Sequence, residues 1–115
     1  MSSTAGHKTV ANQSVYSGSK FAVRTISEGL RQEAGEHMRV TIISPGIVRT
    51  NFIEGITNQE VRNRLARVRD DLGMPPEAVA RAIAFAIEQP DDIDVNEIVP
   101  RRKCKKTIWE RKSWL

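Results

Sequence analysis

Six residues near the middle of the chain, Arg39-Val-Thr-Ile-Ile-Ser44, constrain its fold more than any others. The run is β-branched, its apolar positions do not alternate cleanly, and Pro45-Gly46 ends it abruptly. That pattern predicts a strand covered on both faces, as in a parallel sheet. The flanking segments read as helices. From Val15 to about Gly35 the apolar positions Val15, Ala22, Val23, Ile26 and Leu30 recur at three- and four-residue steps, which predicts a helix with one buried face and a stop at Gly35. Asn58 caps a second predicted helix that carries Val61, Leu65, Val68 and Leu72 on one side. After the break at Gly73–Pro76 a third runs from Pro76 or Glu77 to Gln89, with Ala78, Val79, Ala82, Ile83, Ala86 and Ile87 as its stripe. Val95–Val99 is a second short strand candidate. Helix, strand, a long excursion with helices, and strand again is the rhythm of an α/β fold with a parallel sheet.

Composition agrees with a small folded domain: 115 residues, 39% apolar and 28% charged. The longest apolar run, Ala82–Ile87, is far shorter than the ~18 residues a membrane span needs. The amino end has neither the basic start nor the apolar stretch of a signal peptide, and there is one cysteine, so a reducing, cytoplasmic setting is expected. The net charge of +4 is unevenly placed. Residues 1–97 hold 11 basic and 13 acidic side chains, whereas residues 98–115 hold 7 basic and 1 acidic. Residues 1–99 therefore read as the body and residues 100–115 as a basic tail, with Cys104, Trp109 and Trp114 in it. The tail is expected to be a solvated, disordered extension rather than a nucleic-acid or membrane binder. His7 and His37 have no companions at ligand spacing, so no metal site is expected.

Chemistry enters with Tyr16 and Lys20, four apart on the first helix and therefore on one face. A phenol with a pKa near 10 is a poor base at neutral pH; an ammonium held beside it favours the phenolate and brings proton transfer into the working range. By itself the spacing also fits a surface tyrosine packed along a lysine stem. Ser2-Ser3-Thr4-Ala5-Gly6 stands upstream, with Ser3 thirteen residues ahead of Tyr16. Downstream come Tyr16-Ser-Gly-Ser-Lys20 with Phe21-Ala22, then Ser44-Pro45-Gly46 with Val48 and Thr50, and Asn96-Glu97-Ile98-Val99 near the end. In that order and at those intervals the landmarks resemble the classical short-chain dehydrogenase/reductase family, over about residues 1–99, which correspond to the carboxyl-terminal half of a family member.

The resemblance implies part of an NAD(P)-binding, Rossmann-like doubly wound sheet and an oxidoreductase that interconverts an alcohol and a carbonyl on a small-molecule substrate, with NADP or NAD as cofactor. It implies Ser3 as the residue that orients the substrate oxygen, Tyr16 as general acid/base, and Lys20 as its partner and a ligand of the nicotinamide ribose. Pro45, Gly46, Val48 and Thr50 would line the nicotinamide pocket, and the excursion from Asn51 to Gly73 would choose the substrate. Family members are homo-oligomers. The glycines, at 6, 18, 29, 35, 46, 55 and 73, include no glycine-rich dinucleotide-binding turn. The chain is therefore expected to be a fragment that is inactive alone, with one edge of the Val40–Ile43 strand left unpaired. The alternative is a non-catalytic remnant that acts by dimerisation or through its basic tail.

Overall fold

A computed structural model describes residues 1–9 and 11–103. Helix α1 spans Ser14–Ala34, and Gly35 ends it with φ 55°, a conformation that glycine adopts without a Cβ clash. Strand β1 is Ile42–Ile43. Helix α2, Gln59–Leu72, starts where Asn58 Oδ1 accepts from the Val61 amide at 3.2 Å. Helix α3, Pro76–Ile87, has proline in its first turn, where a missing N–H costs nothing. Strand β2, Glu97–Ile98, lies parallel to β1, with Ile42 opposite Glu97 and Ile43 opposite Ile98. Three of the expected elements thus appear as helices within a residue or two of their expected ends.

The sheet is shorter at its start and wider than the sequence suggests. Val40 leaves the ladder because its amide donates to Asp94 Oδ1 at 3.1 Å. Arg39 caps α3 instead, donating to the carbonyls of Ala86, Ile87 and Gln89. Past the strands the pairing continues through Ser44 N to Ile98 O (2.9 Å) and Gly46 N to Pro100 O (3.0 Å). On the other side of β1, Ser2 N donates to Ile43 O (2.7 Å) and Thr4 N to Pro45 O (3.1 Å). Residues 2–4 thus run in parallel alongside residues 43–45, and the edge expected to be unpaired is taken up at the carbonyls of Ile43 and Pro45. Ser-Ser-Thr lacks a strand's apolar signature, and its place here rests on hydrogen bonds, from the backbone to β1 and from Ser2 Oγ to α1.

The core is small. Ile43, Met74 and Val79 are buried together, with Val48, Ala78, Ile83 and Ile98 packed around them. Met74 joins it through a parallel bridge to Val48, in which Met74 N donates to Ile47 O and Arg49 N to Met74 O, both at 2.9 Å. The apolar residues of α2, Val61, Leu65, Val68 and Leu72, are half-buried as their spacing predicts.

Helix α1 departs from expectation in orientation. Val15 is 86% exposed and Ile26 70%, while Ser17 is buried and Lys20, Val23, Arg24 and Ser27 are half-buried, so the covered side is mostly polar. Satisfaction of polar groups decides this. The turn at Thr4–Gly6 and the strand end beneath α1 present carbonyls and a carboxylate, and only the polar face can answer them. At residues 100–102, where the tail was expected to begin, Pro100 pairs with Gly46 and Arg102 donates to Gly73 O at 3.2 Å. Residues 104–115 of that tail, with Cys104, Trp109 and Trp114, lie outside the described residues.

Candidate functional site

Ser3 sits at the junction of three segments. Its neighbour Ser2 is buried and donates through Oγ to Lys20 O of α1 at 3.0 Å, while its other neighbour, Thr4, pairs with Pro45. Ser3 Oγ accepts from the Ala5 amide at 3.1 Å, capping the short 3₁₀ turn Thr4–Gly6. With a lone pair engaged by that amide, the hydroxyl hydrogen remains for donation to a ligand oxygen.

Gly6 allows this junction to form. A Cβ there would stand 2.6 Å from Ser2 Oγ, 3.0 Å from Lys20 O and 3.1 Å from Arg24 Cδ. The turn can lie against α1 only because that position carries no side chain.

Tyr16 lies in the first turn of α1 and is half-exposed. Lys20 Nζ stands 5.6 Å from the centroid of its ring, so the ammonium is over the aromatic face. Pro45 is buried and Gly46 half-buried at the carboxyl end of β1, the edge at which open parallel sheets bind ligands. Val48 belongs to the Met74 bridge and Thr50 is exposed beyond it. Ser3, Lys20 and Pro45 are thus laced together by direct bonds of their own segments. Val48 and Thr50 follow in the chain without such a tie. Two open clefts, of about 350 and 300 Å³, lie elsewhere, one between β1 and α3 and one between α1 and β2, and neither is lined by Ser3 or Tyr16.

Sequence reasoning missed the polar centre beneath the site. Glu97 accepts from Arg24 twice, Nε to Oε2 and NH2 to Oε1, each at 3.1 Å. It also accepts from Ser44 Oγ at 2.5 Å, and His7 Nε2 lies 2.9 Å from Oε2. Burial alone would raise its pKa, but the hydrogen bonds from Arg24, Ser44 and His7 and the charge of Arg24 prevail and lower it from 4.5 to about 2. The carboxylate is ionised and accepts only, so His7 must present Nε2–H to it. One signal was available: Glu97 is a charge inside the Val95–Val99 strand candidate, and a charge in a strand needs partners where it is covered.

Residues 1–61 match the family model described as short chain dehydrogenase. The chain belongs to the short-chain dehydrogenase family. An uncharacterized oxidoreductase of Staphylococcus saprophyticus is 39% identical over 104 residues, which make up 88% of this chain and 42% of that protein. Two solved dehydrogenase structures superpose on it. A small-chain dehydrogenase in complex with NADPH has a TM-score of 0.71 and 26% identity, over 86% of this chain and 46% of that one. The closed form of serine dehydrogenase complexed with NADP+ has a TM-score of 0.75 at 23% identity, over 92% and 45%, a likeness of fold alone. The two-stranded parallel sheet with its helices is accordingly part of a Rossmann-like fold. The chain spans less than half the length of each of these proteins. Among the described residues, no helix is long and apolar enough to cross a membrane.

Proposed function

We propose that these residues form the acid/base half of an NAD(P)-dependent oxidoreductase that interconverts a small-molecule alcohol and a carbonyl. The observation that carries this reading is the lacing of Ser3 to both Lys20 and Pro45 through its immediate neighbours. In the reductive direction Ser3 donates its hydroxyl hydrogen to the carbonyl oxygen and holds it in place, and Tyr16 delivers the proton to that oxygen. In oxidation the same phenol takes the proton back. A nicotinamide cofactor, when bound, supplies or accepts the hydride.

The residues present suit such a group. The Lys20 ammonium beside Tyr16 offers donors to ribose hydroxyls, and the Thr50 hydroxyl, with backbone at Pro45, Gly46 and Val48, offers polar partners for a carboxamide. No phosphate-cradling glycine turn occurs in these 115 residues, so the chain alone is inactive and turnover needs a dinucleotide-binding segment in addition. Fusing the amino-terminal part of the staphylococcal relative ahead of Met1 provides the test. The fusion should oxidise NADPH or NADH when small aldehydes or ketones are added, whereas the 115-residue chain should show no saturable thermal shift with either cofactor. A folded fusion without turnover, or a clear shift with the chain alone, refutes the reading.

A second reading has one observation in its favour. The outer face of α1 exposes Val15, Ala22, Ile26 and Leu30, an apolar stripe at helical spacing that suits self-association without catalysis. Light scattering on the chain and on Ile26→Arg tests it. A monomer at all concentrations refutes it.

A further inference from the structure

We propose that Glu97 is a positioning residue, one that fixes the placement of Ser3 relative to Tyr16 and Lys20; the inference rests on the acid/base reading above for its functional meaning. Glu97 itself lies on β2 and has no part in the proposed proton transfer. Its four contacts reach the three segments that carry the site, each close to the residue concerned. His7 closes the turn that Ser3 begins. Arg24 stands one helical turn beyond Lys20 and two beyond Tyr16. Ser44 immediately precedes Pro45-Gly46. The lacing is doubled by Arg24 NH1, which donates to Gly6 O at 3.2 Å and so ties the same guanidinium to the Ser3 turn directly.

The chemistry of the junction favours geometry over mere adhesion. The fork of Arg24 on both carboxylate oxygens fixes an angle as well as a distance, which apolar packing does not. The Glu97 side chain is 19% exposed, against 30% for Arg24 and 35% for His7, so the carboxylate is the more covered member of each ion pair. Removing the carboxylate leaves Arg24, His7 and Ser44 competing for Gly6 O and for water. The Ser3 turn then loses its fixed seat on α1, while Tyr16 and Lys20, on one helix, keep theirs relative to each other.

Tyr16 is the only tyrosine in the chain, so ¹³Cζ labelling gives it a single NMR resonance to follow without any need for turnover. In the 115-residue chain Glu97→Ala should shift or split that resonance by more than a linewidth at a temperature where far-UV circular dichroism is unchanged. Glu97→Gln, which still accepts from Arg24, should give a smaller shift. Val79→Ala serves as the control: it weakens the core away from this junction and should lower the melting temperature while the resonance stays in place. If Glu97→Ala does not fold, Ser44→Ala and His7→Gln each remove one arm and should each move the signal. An unmoved Tyr16 resonance in every folded variant, or an equal shift in Val79→Ala, overturns the proposal. A fusion protein without dehydrogenase activity leaves this readout intact, so the two readings fail separately.

Discussion

Gly6→Ala measures how tightly the Ser3 turn is seated on α1. Gly6 does not have a positive φ, so alanine suits its backbone, and the loss of unfolded-state freedom alone would stabilise the chain by about 0.4–1 kcal/mol. Sterics oppose this. The new Cβ would meet Ser2 Oγ at 2.6 Å, Lys20 O at 3.0 Å and Arg24 Cδ at 3.1 Å, against ordinary contacts beyond 3.4 Å. None of the three can move away freely: Ser2 Oγ and Lys20 O are tied to each other by a hydrogen bond, and the Arg24 side chain is held by Glu97 and Gly6 O. Overpacking of this kind costs about 1–3 kcal/mol, so the net loss should be roughly 1–2 kcal/mol. For a domain of this size that corresponds to a fall of roughly 5–10 °C in melting temperature. A double-mutant cycle locates the strain. Ser2→Ala alone should cost about 1 kcal/mol for its hydrogen bond. In that background Gly6→Ala should cost under about 1 kcal/mol, because the shortest contact is gone, giving a coupling of about 1 kcal/mol. A neutral or stabilising Gly6→Ala, or a strictly additive cycle, refutes the close seating.

Three further outcomes follow from particular residues. The Glu97 pKa is lowered from 4.5 to about 2, so its contribution is fully present above pH ~4.5 and is lost as pH falls toward 2; it amounts to about 3 kcal/mol. Urea titrations at pH 5 and pH 3 should show just over half of this loss, about 2 kcal/mol, in the native chain and much less in Glu97→Gln, while the exposed Glu28–Arg31 pair contributes equally to both. Gly18→Ala and Gly29→Ala, inside α1 with nothing within 4 Å of the new methyl, should each stabilise by about 0.5–1 kcal/mol. Gly35→Ala, at φ 55°, should instead destabilise by about 1 kcal/mol, read from thermal melts of all three variants.

The helices were legible because their punctuation is local. Asn58, Pro76 and Gly35 mark ends through groups within one turn, and a reader needs nothing from the rest of the chain. The face that α1 buries was not legible. An apolar stripe says that a face can be covered, not what covers it, and here the carbonyl of Gly6 and the carboxylate of Glu97 claim the polar face. The Tyr16–Lys20 pair was visible as a four-residue spacing, and Ser3 as part of a motif. What seats them was hidden: Glu97 meets Ser44, Arg24 and His7 across 53, 73 and 90 residues, and no spacing rule links positions so far apart. Gly6 was visible only as the last residue of the Ser2–Gly6 motif, and its close approach to Lys20 O emerges only in three dimensions.

The central claim is that Tyr16 moves the proton in a nicotinamide-dependent reaction that Ser3 orients. Steady-state kinetics of Tyr16→Phe in the active fusion test it most directly, since the ring and its packing survive and only the hydroxyl is lost. The account predicts that kcat falls by ~10²-fold or more, with the KM for NADPH within a few-fold of the parent. A Tyr16→Phe enzyme that keeps its kcat within a few-fold would contradict it.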